Sequence, residues 1–133
     1  MPITERATQE TIEAVHHAYM VCALWSSTDD DGDPLDRRFT VDDIAPESRE
    51  SMLTDVTNFL AACWGDTWPE FTIDLSGIEP EQIGHDYWLT RNHHGAGFWD
   101  RGLGDVGDQL TKLAHADGDS HLYVGDDGQV WVS

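Results

Sequence analysis

Apolar side chains recur at helical spacing in three stretches of the chain and alternate near its end. In residues 8–26, Ile12, Val15, Tyr19, Cys22 and Ala23 form one stripe, which predicts a helix. Thr8 is placed to cap it, Glu10 falls in its first turn, and Ser26-Ser27-Thr28 ends it. Pro46 then opens a second helix, because proline suits the first helical position. Its stripe is wide, running through Met52, Leu53, Val56, Phe59, Leu60, Cys63 and Trp64, and Gly65 stops it. A third helix follows Gly102-Leu-Gly, with Asp105 as cap, Asp108 in the first turn and Val106, Leu110 and Leu113 on the buried face. Gly118 closes it. Thr40 to Ile44 reads as one helical turn, since Thr40 and Asp43 have capping-box spacing.

Strand signals are shorter. Phe71, Ile73 and Leu75 alternate, and Glu79-Pro80-Glu81-Gln82 reads as a helical turn leading into Gly84. Tyr87 to Thr90, with Phe98 and Trp99, favour strand, and Asn92-His-His-Gly-Ala-Gly97 supplies a connection, so residues 84–102 read as a β-hairpin. The last hairpin has two registers. A two-residue Asp127-Gly128 turn pairs Val124 with Trp131. A three-residue Asp126-Asp127-Gly128 loop pairs Val124 with Val130 and Leu122 with Val132, and puts Gly128 where a type I turn plus bulge needs left-handed backbone. The second is preferred. The expectation is a single α+β domain over residues 1–133, with a helical half (8–65) and a hairpin–helix–hairpin half (84–133). It is a small, mostly antiparallel sheet of two hairpins with about three helices packed on it.

Charge divides this picture. The 133 residues carry a formal net charge of -19, with 18 Asp, 8 Glu and a single lysine, Lys112. The segment Gly84–Gly102 is neutral, setting Arg91 and Arg101 against Asp86 and Asp100, so the whole excess lies outside it. Such a surface repels nucleic acid and anionic membranes. It can solubilise, bind a basic groove of a partner, or hold divalent cations. Residues 28–38 concentrate five aspartates around Gly32 and Pro34. An EF-hand fails there: with Asp29, Asp31 and Asp33 at positions 1, 3 and 5, Pro34 falls where glycine is required and Thr40 where glutamate is. The segment reads as a solvated acidic loop. No apolar run approaches the roughly 18–20 residues of a membrane span, and Met1-Pro-Ile-Thr-Glu-Arg6 is no secretory signal, so a cytoplasmic protein is expected. Cys22 and Cys63 fall on apolar helix faces and read as buried thiols.

The neutral segment is the one place with candidate chemistry. His85 or His94 is a candidate general base, oriented by Asp86 or Asp100, with Arg91 holding an anion. Metal binding through His85, His93, His94 and Asp100 lacks a zinc-type spacing. No serine or cysteine nucleophile sits there. The plainer reading pairs arginine and aspartate across the hairpin. No cofactor is expected.

Two segments, Ala23-Leu-Trp-Ser-Ser-Thr-Asp-Asp-Asp-Gly-Asp-Pro-Leu-Asp36 and Gly84-His-Asp-Tyr-Trp-Leu-Thr-Arg-Asn-His-His-Gly-Ala-Gly-Phe-Trp-Asp-Arg-Gly-Leu-Gly-Asp105, resemble a family of small acidic proteins encoded by bacteriophages and related mobile elements. The usual form of the second segment has glycine where this chain has His93. The resemblance implies phage origin and carries over no catalytic residue. In size, charge and origin the chain resembles antirestriction DNA mimics, which occupy DNA-binding grooves. The leading expectation is therefore a non-enzymatic accessory protein. Asp29, Asp30, Asp31, Asp33, Asp36, Asp42 and Asp43 would meet a basic groove on a host or defence protein. The alternatives are a small enzyme or ligand- or metal-binding domain built on His85, Arg91, His94 and Asp100, and an acidic structural or virion-associated domain.

Overall fold

The computed structural model describes residues 9–29, 31–63, 78–93, 97–98, 102 and 104–133. Among these residues four α-helices appear in chain order: α1 (Gln9–Ser26), α2 (Pro46–Cys63), α3 (Pro80–Arg91) and α4 (Asp105–Ala116). Among the described residues one two-stranded sheet follows, β1 (Leu122–Val124) and β2 (Val130–Val132). Short 3-10 turns lie at Leu35–Arg37 and Val41–Asp43.

The architecture is mostly helical, which corrects the expectation of a sheet built from two hairpins. The first strand of the first expected hairpin lies in α3, and Trp99 and part of the connection lie outside the described residues. The start of α3 is signalled by Pro80 at the first helical position, so the helical turn read at 79–82 continues instead of yielding to a strand. The strand reading of Tyr87–Thr90 failed because α3 is buried nearly all round. Ile83, Gly84 and every residue from Asp86 to Arg91 are buried. A helix enclosed on all sides shows no one-sided stripe, and aromatic residues inside it mimic strand propensity. His93 ends it with a left-handed backbone (φ 57°), the conformation a helix terminator takes and glycine favours. The Asn92-His93 step thus stops a helix and does not turn a hairpin.

α1 and α3 form the most extensive helix pair. Gly84 permits it: a Cβ there would overlap the Val15 carbonyl oxygen and come within 2.9 Å of the Tyr19 nitrogen. An aromatic core gathers around this contact. Tyr87 stacks on Phe59 of α2 (centroids 4.1 Å) and on Tyr19 of α1 (5.1 Å), while Trp88 meets Tyr19 edge-on at 5.3 Å. Phe98, also expected on a strand, is buried and stacks on Phe59 at 5.8 Å. Of the expected α1 stripe, Val15, Tyr19, Cys22 and Ala23 are buried. Of the expected α2 stripe, Met52, Val56, Phe59, Leu60 and Cys63 are buried. α4 buries Leu110 and Leu113, but its N-cap is Gly104, one residue before the expected Asp105.

The final hairpin takes the preferred register, Val124 opposite Val130 and Leu122 opposite Val132, with Gly128 at φ 80°. β2 is tied to the start of α2. The Val130 carbonyl accepts from the Ala45 N–H at 2.8 Å, and the Val132 N–H donates to Ser48 Oγ at 3.0 Å. Thr8, Trp64, Gly65 and the strand read at Phe71–Leu75 lie outside the described residues.

Candidate functional site

α3 carries His85 and Arg91, and it separates them. The two are six positions apart on one helix, so they point to different sides. His85 is part-exposed, with its side chain at 39% accessibility, and its Nδ1 lies 3.3 Å from Asp86 Oδ1. Asp86 is fully buried and also accepts from Gln82 Nε2 at 2.7 Å. Trp25 lies over the His85 ring at 5.9 Å.

Arg91 faces the interior and is 4% exposed. One of its terminal nitrogens donates to Tyr19 Oη and to Asp55 Oδ2, both at 2.9 Å. Its Nε donates to the Gly118 carbonyl at 2.8 Å and the other terminal nitrogen to the Asp117 carbonyl at 3.0 Å. Those carbonyls sit at the C-terminal end of α4, where a cation is favoured. The Tyr87 hydroxyl, over whose ring the guanidinium lies, donates to Asp117 Oδ2 at 2.6 Å. Burial is the largest cause raising the Tyr19 hydroxyl above its ordinary range. Burial likewise pushes the Cys22 and Cys63 thiols up to about 12, so neither is a ready nucleophile.

The arginine–aspartate pair expected across a hairpin is thus made to another partner. Asp55 supplies it from α2. Sequence reasoning missed this residue, although Asp55 stands three positions after Met52 and four before Phe59, at the border of the buried stripe. His85 and Arg91 do not converge, and His94 and Asp100 lie outside the described residues. Among the described residues, no group of three His, Cys, Asp or Glu side chains is placed to hold a metal ion. His93 stacks on His115 at 4.3 Å, with Asp119 Oδ1 3.8 Å from its Nε2, all on the surface.

The acidic segment 29–43 is more structured than a solvated loop. Asp29 Oδ1 accepts from the N–H groups of Asp31 (2.9 Å) and Asp33 (3.0 Å), and its Oδ2 accepts from Arg38 at 2.9 Å. The Asp33 amide is the largest cause holding the Asp29 carboxyl below its ordinary 3.8. Thr28 bridges Pro34, and Leu35 is buried against the core. At the second turn, Asp43 accepts from the Thr40 N–H at 2.8 Å, as its capping-box spacing predicts. Asp31, Asp33, Asp36 and Asp42 are left exposed on this bonded frame, while Asp29 and Asp43 serve it; Asp30 lies outside the described residues.

Local cations neutralise little. Arg38 is committed to Asp29, and Arg37 reaches Asp33 only at 3.7 Å, both ends exposed. No helix among the described residues is long and apolar enough to cross a membrane. Comparison with known proteins finds nothing to set beside this chain: no family model, curated protein or solved structure matches it.

Proposed function

We propose that the chain is a small acidic accessory protein of phage or mobile-element origin. It acts in the host cytoplasm by binding a basic surface of a host or defence protein through charge, as a DNA mimic does. One observation carries the reading: Asp31, Asp33, Asp36 and Asp42 project from backbone held by the Asp29 and Asp43 carboxylates and anchored by buried Leu35. A carboxylate array fixed before binding loses less entropy on association than a flexible acidic tract. The two arginines of the segment offset it only in part, Arg38 being held by Asp29 and Arg37 lying 3.7 Å from Asp33 with both ends exposed.

The enzymatic alternative has less support, since His85 and Arg91 point apart. No observation favours the structural or virion-associated alternative. The test is capture from bacterial lysate at low and high salt, with identification of what is retained. The expected result is a DNA-handling protein retained at low salt, released at high salt, and not retained by a variant with Asp31, Asp33, Asp36 and Asp42 all changed to Asn. Retention of the same proteins by that variant would overturn the reading, as would recovery of no DNA-handling protein.

A further inference from the structure

The hairpin has one covered edge and one open edge. In an antiparallel pair, opposed residues alternate between those that exchange backbone hydrogen bonds and those whose N–H and C=O groups point outward. Here the Gly125 N–H donates to the Gln129 carbonyl and the Ser133 N–H to the His121 carbonyl, both at 2.8 Å. The bonded positions on β1 are therefore His121, Tyr123 and Gly125, and Leu122 and Val124 turn their backbone groups away from β2. On β2 one outward group of each matching residue is taken, the Val130 carbonyl by the Ala45 N–H and the Val132 N–H by Ser48 Oγ. On β1 no such cover exists among the described residues.

Beside that edge runs a groove of about 370 Å³ between Leu122-Tyr123-Val124 and Thr28, Asp29, Asp31 and Arg38. It adjoins a second hollow of about 290 Å³, walled in part by Ser27, Asn92, Ser120 and Leu122. Tyr123 and Val124 are exposed at 51% and 38%. Arg38 and Asp29 neutralise each other on the wall facing β1, which leaves the exposed Asp31 carboxylate as the net charge of the described lining.

We infer that the open edge of β1 is a docking strand for an extended, lysine- or arginine-bearing segment of a partner protein. The segment pairs with Leu122 and Val124 and sets its cations against Asp31. This inference rests on the charge-based reading above and gives it a place and a binding mode, strand addition. Val124, 38% exposed, offers its outward N–H and C=O, and Leu122, whose side chain is in the core and which is 8% exposed, extends the same edge, while the acidic wall selects for basic side chains. A second copy of this chain is the wrong occupant, because edge-to-edge pairing would bring two bodies of net charge -19 together. An acidic segment would meet Asp31 with its own charge.

The test uses an N-acetylated peptide of alternating Lys and Thr, with a Glu/Thr peptide as control, titrated by calorimetry and by amide NMR. The Lys/Thr peptide should bind at low salt, shift the Leu122 and Val124 amides and slow their exchange. Val124→Pro removes an outward N–H without touching the β1–β2 ladder, and edge strands accept proline there. It should weaken binding at least tenfold. Asp31→Asn should weaken it several-fold and flatten the salt dependence. As a check that needs no variant, the Lys/Thr peptide methylated on alternate backbone nitrogens should lose binding to the unaltered protein while keeping its charge. Undiminished binding by both Val124→Pro and the methylated peptide would overturn the inference. Equal binding of the Glu/Thr peptide would do the same, as would slow exchange at Leu122 and Val124 caused by dimerisation of the protein alone. If lysate capture still depends on the four aspartates in that case, the charge-based reading survives and only the docking strand falls.

Discussion

Arg91 donates to acceptors on α1, on α2 and at the end of α4 from its own place on α3. In a chain with so few cations, one of them has gone to join four helices. Removing one partner of a buried pair costs about 3–5 kcal/mol, because the remaining groups stay desolvated. Asp55, with its side chain 37% exposed, and the carbonyls of exposed Asp117 and Gly118 can regain water, whereas buried Tyr19 loses a partner in the interior. Arg91→Met should therefore destabilise by about 3 kcal/mol, at the lower end of that range. Asp55→Asn keeps an acceptor for the guanidinium and should cost about 1 kcal/mol. Urea denaturation reads both, and a milder Arg91→Met than Asp55→Asn would show that the network does not hold the helices together. That Arg91 would be paired was legible from sequence. Its partner was not, because an aspartate from α2 reaches it through tertiary packing alone.

Elements divide by how locally they are specified. The last hairpin was readable to its register because Asp126-Asp127-Gly128 sets the turn, and the turn sets the pairing. α1, α2 and α4 were readable because each shows one apolar stripe. α3 was not, since it is enclosed and carries glycine and aromatics. Gly84 makes the contrast measurable. On an exposed helix, Gly→Ala stabilises by roughly 1 kcal/mol. At residue 84 the new methyl group would press on the Val15 carbonyl and the Tyr19 nitrogen, which are backbone and cannot rotate aside. Gly84→Ala should destabilise by about 1–3 kcal/mol, the usual cost of overpacking, seen as a lower urea midpoint. A raised midpoint would mean that α1 and α3 do not approach through Gly84.

At the scale of the whole molecule, a net charge of -19 acts on folding and on binding with opposite sign. Carboxylates crowded by folding repel one another, and salt screens that repulsion. The Debye length falls from about 30 Å at 10 mM salt to about 10 Å at 100 mM, so the midpoint of thermal unfolding should rise by a few degrees over that range. Attraction to a basic partner is screened by the same ions, so affinity should fall steeply across it. A purely solubilising surface predicts the first effect alone. The two are separable in one salt series, with unfolding followed by calorimetry and binding followed on the captured partner. A chain whose stability rises with salt while its partner affinity stays constant would have its acidity assigned to solubility. The two trends moving in opposite directions would assign it to recognition, since only a charged interface couples them.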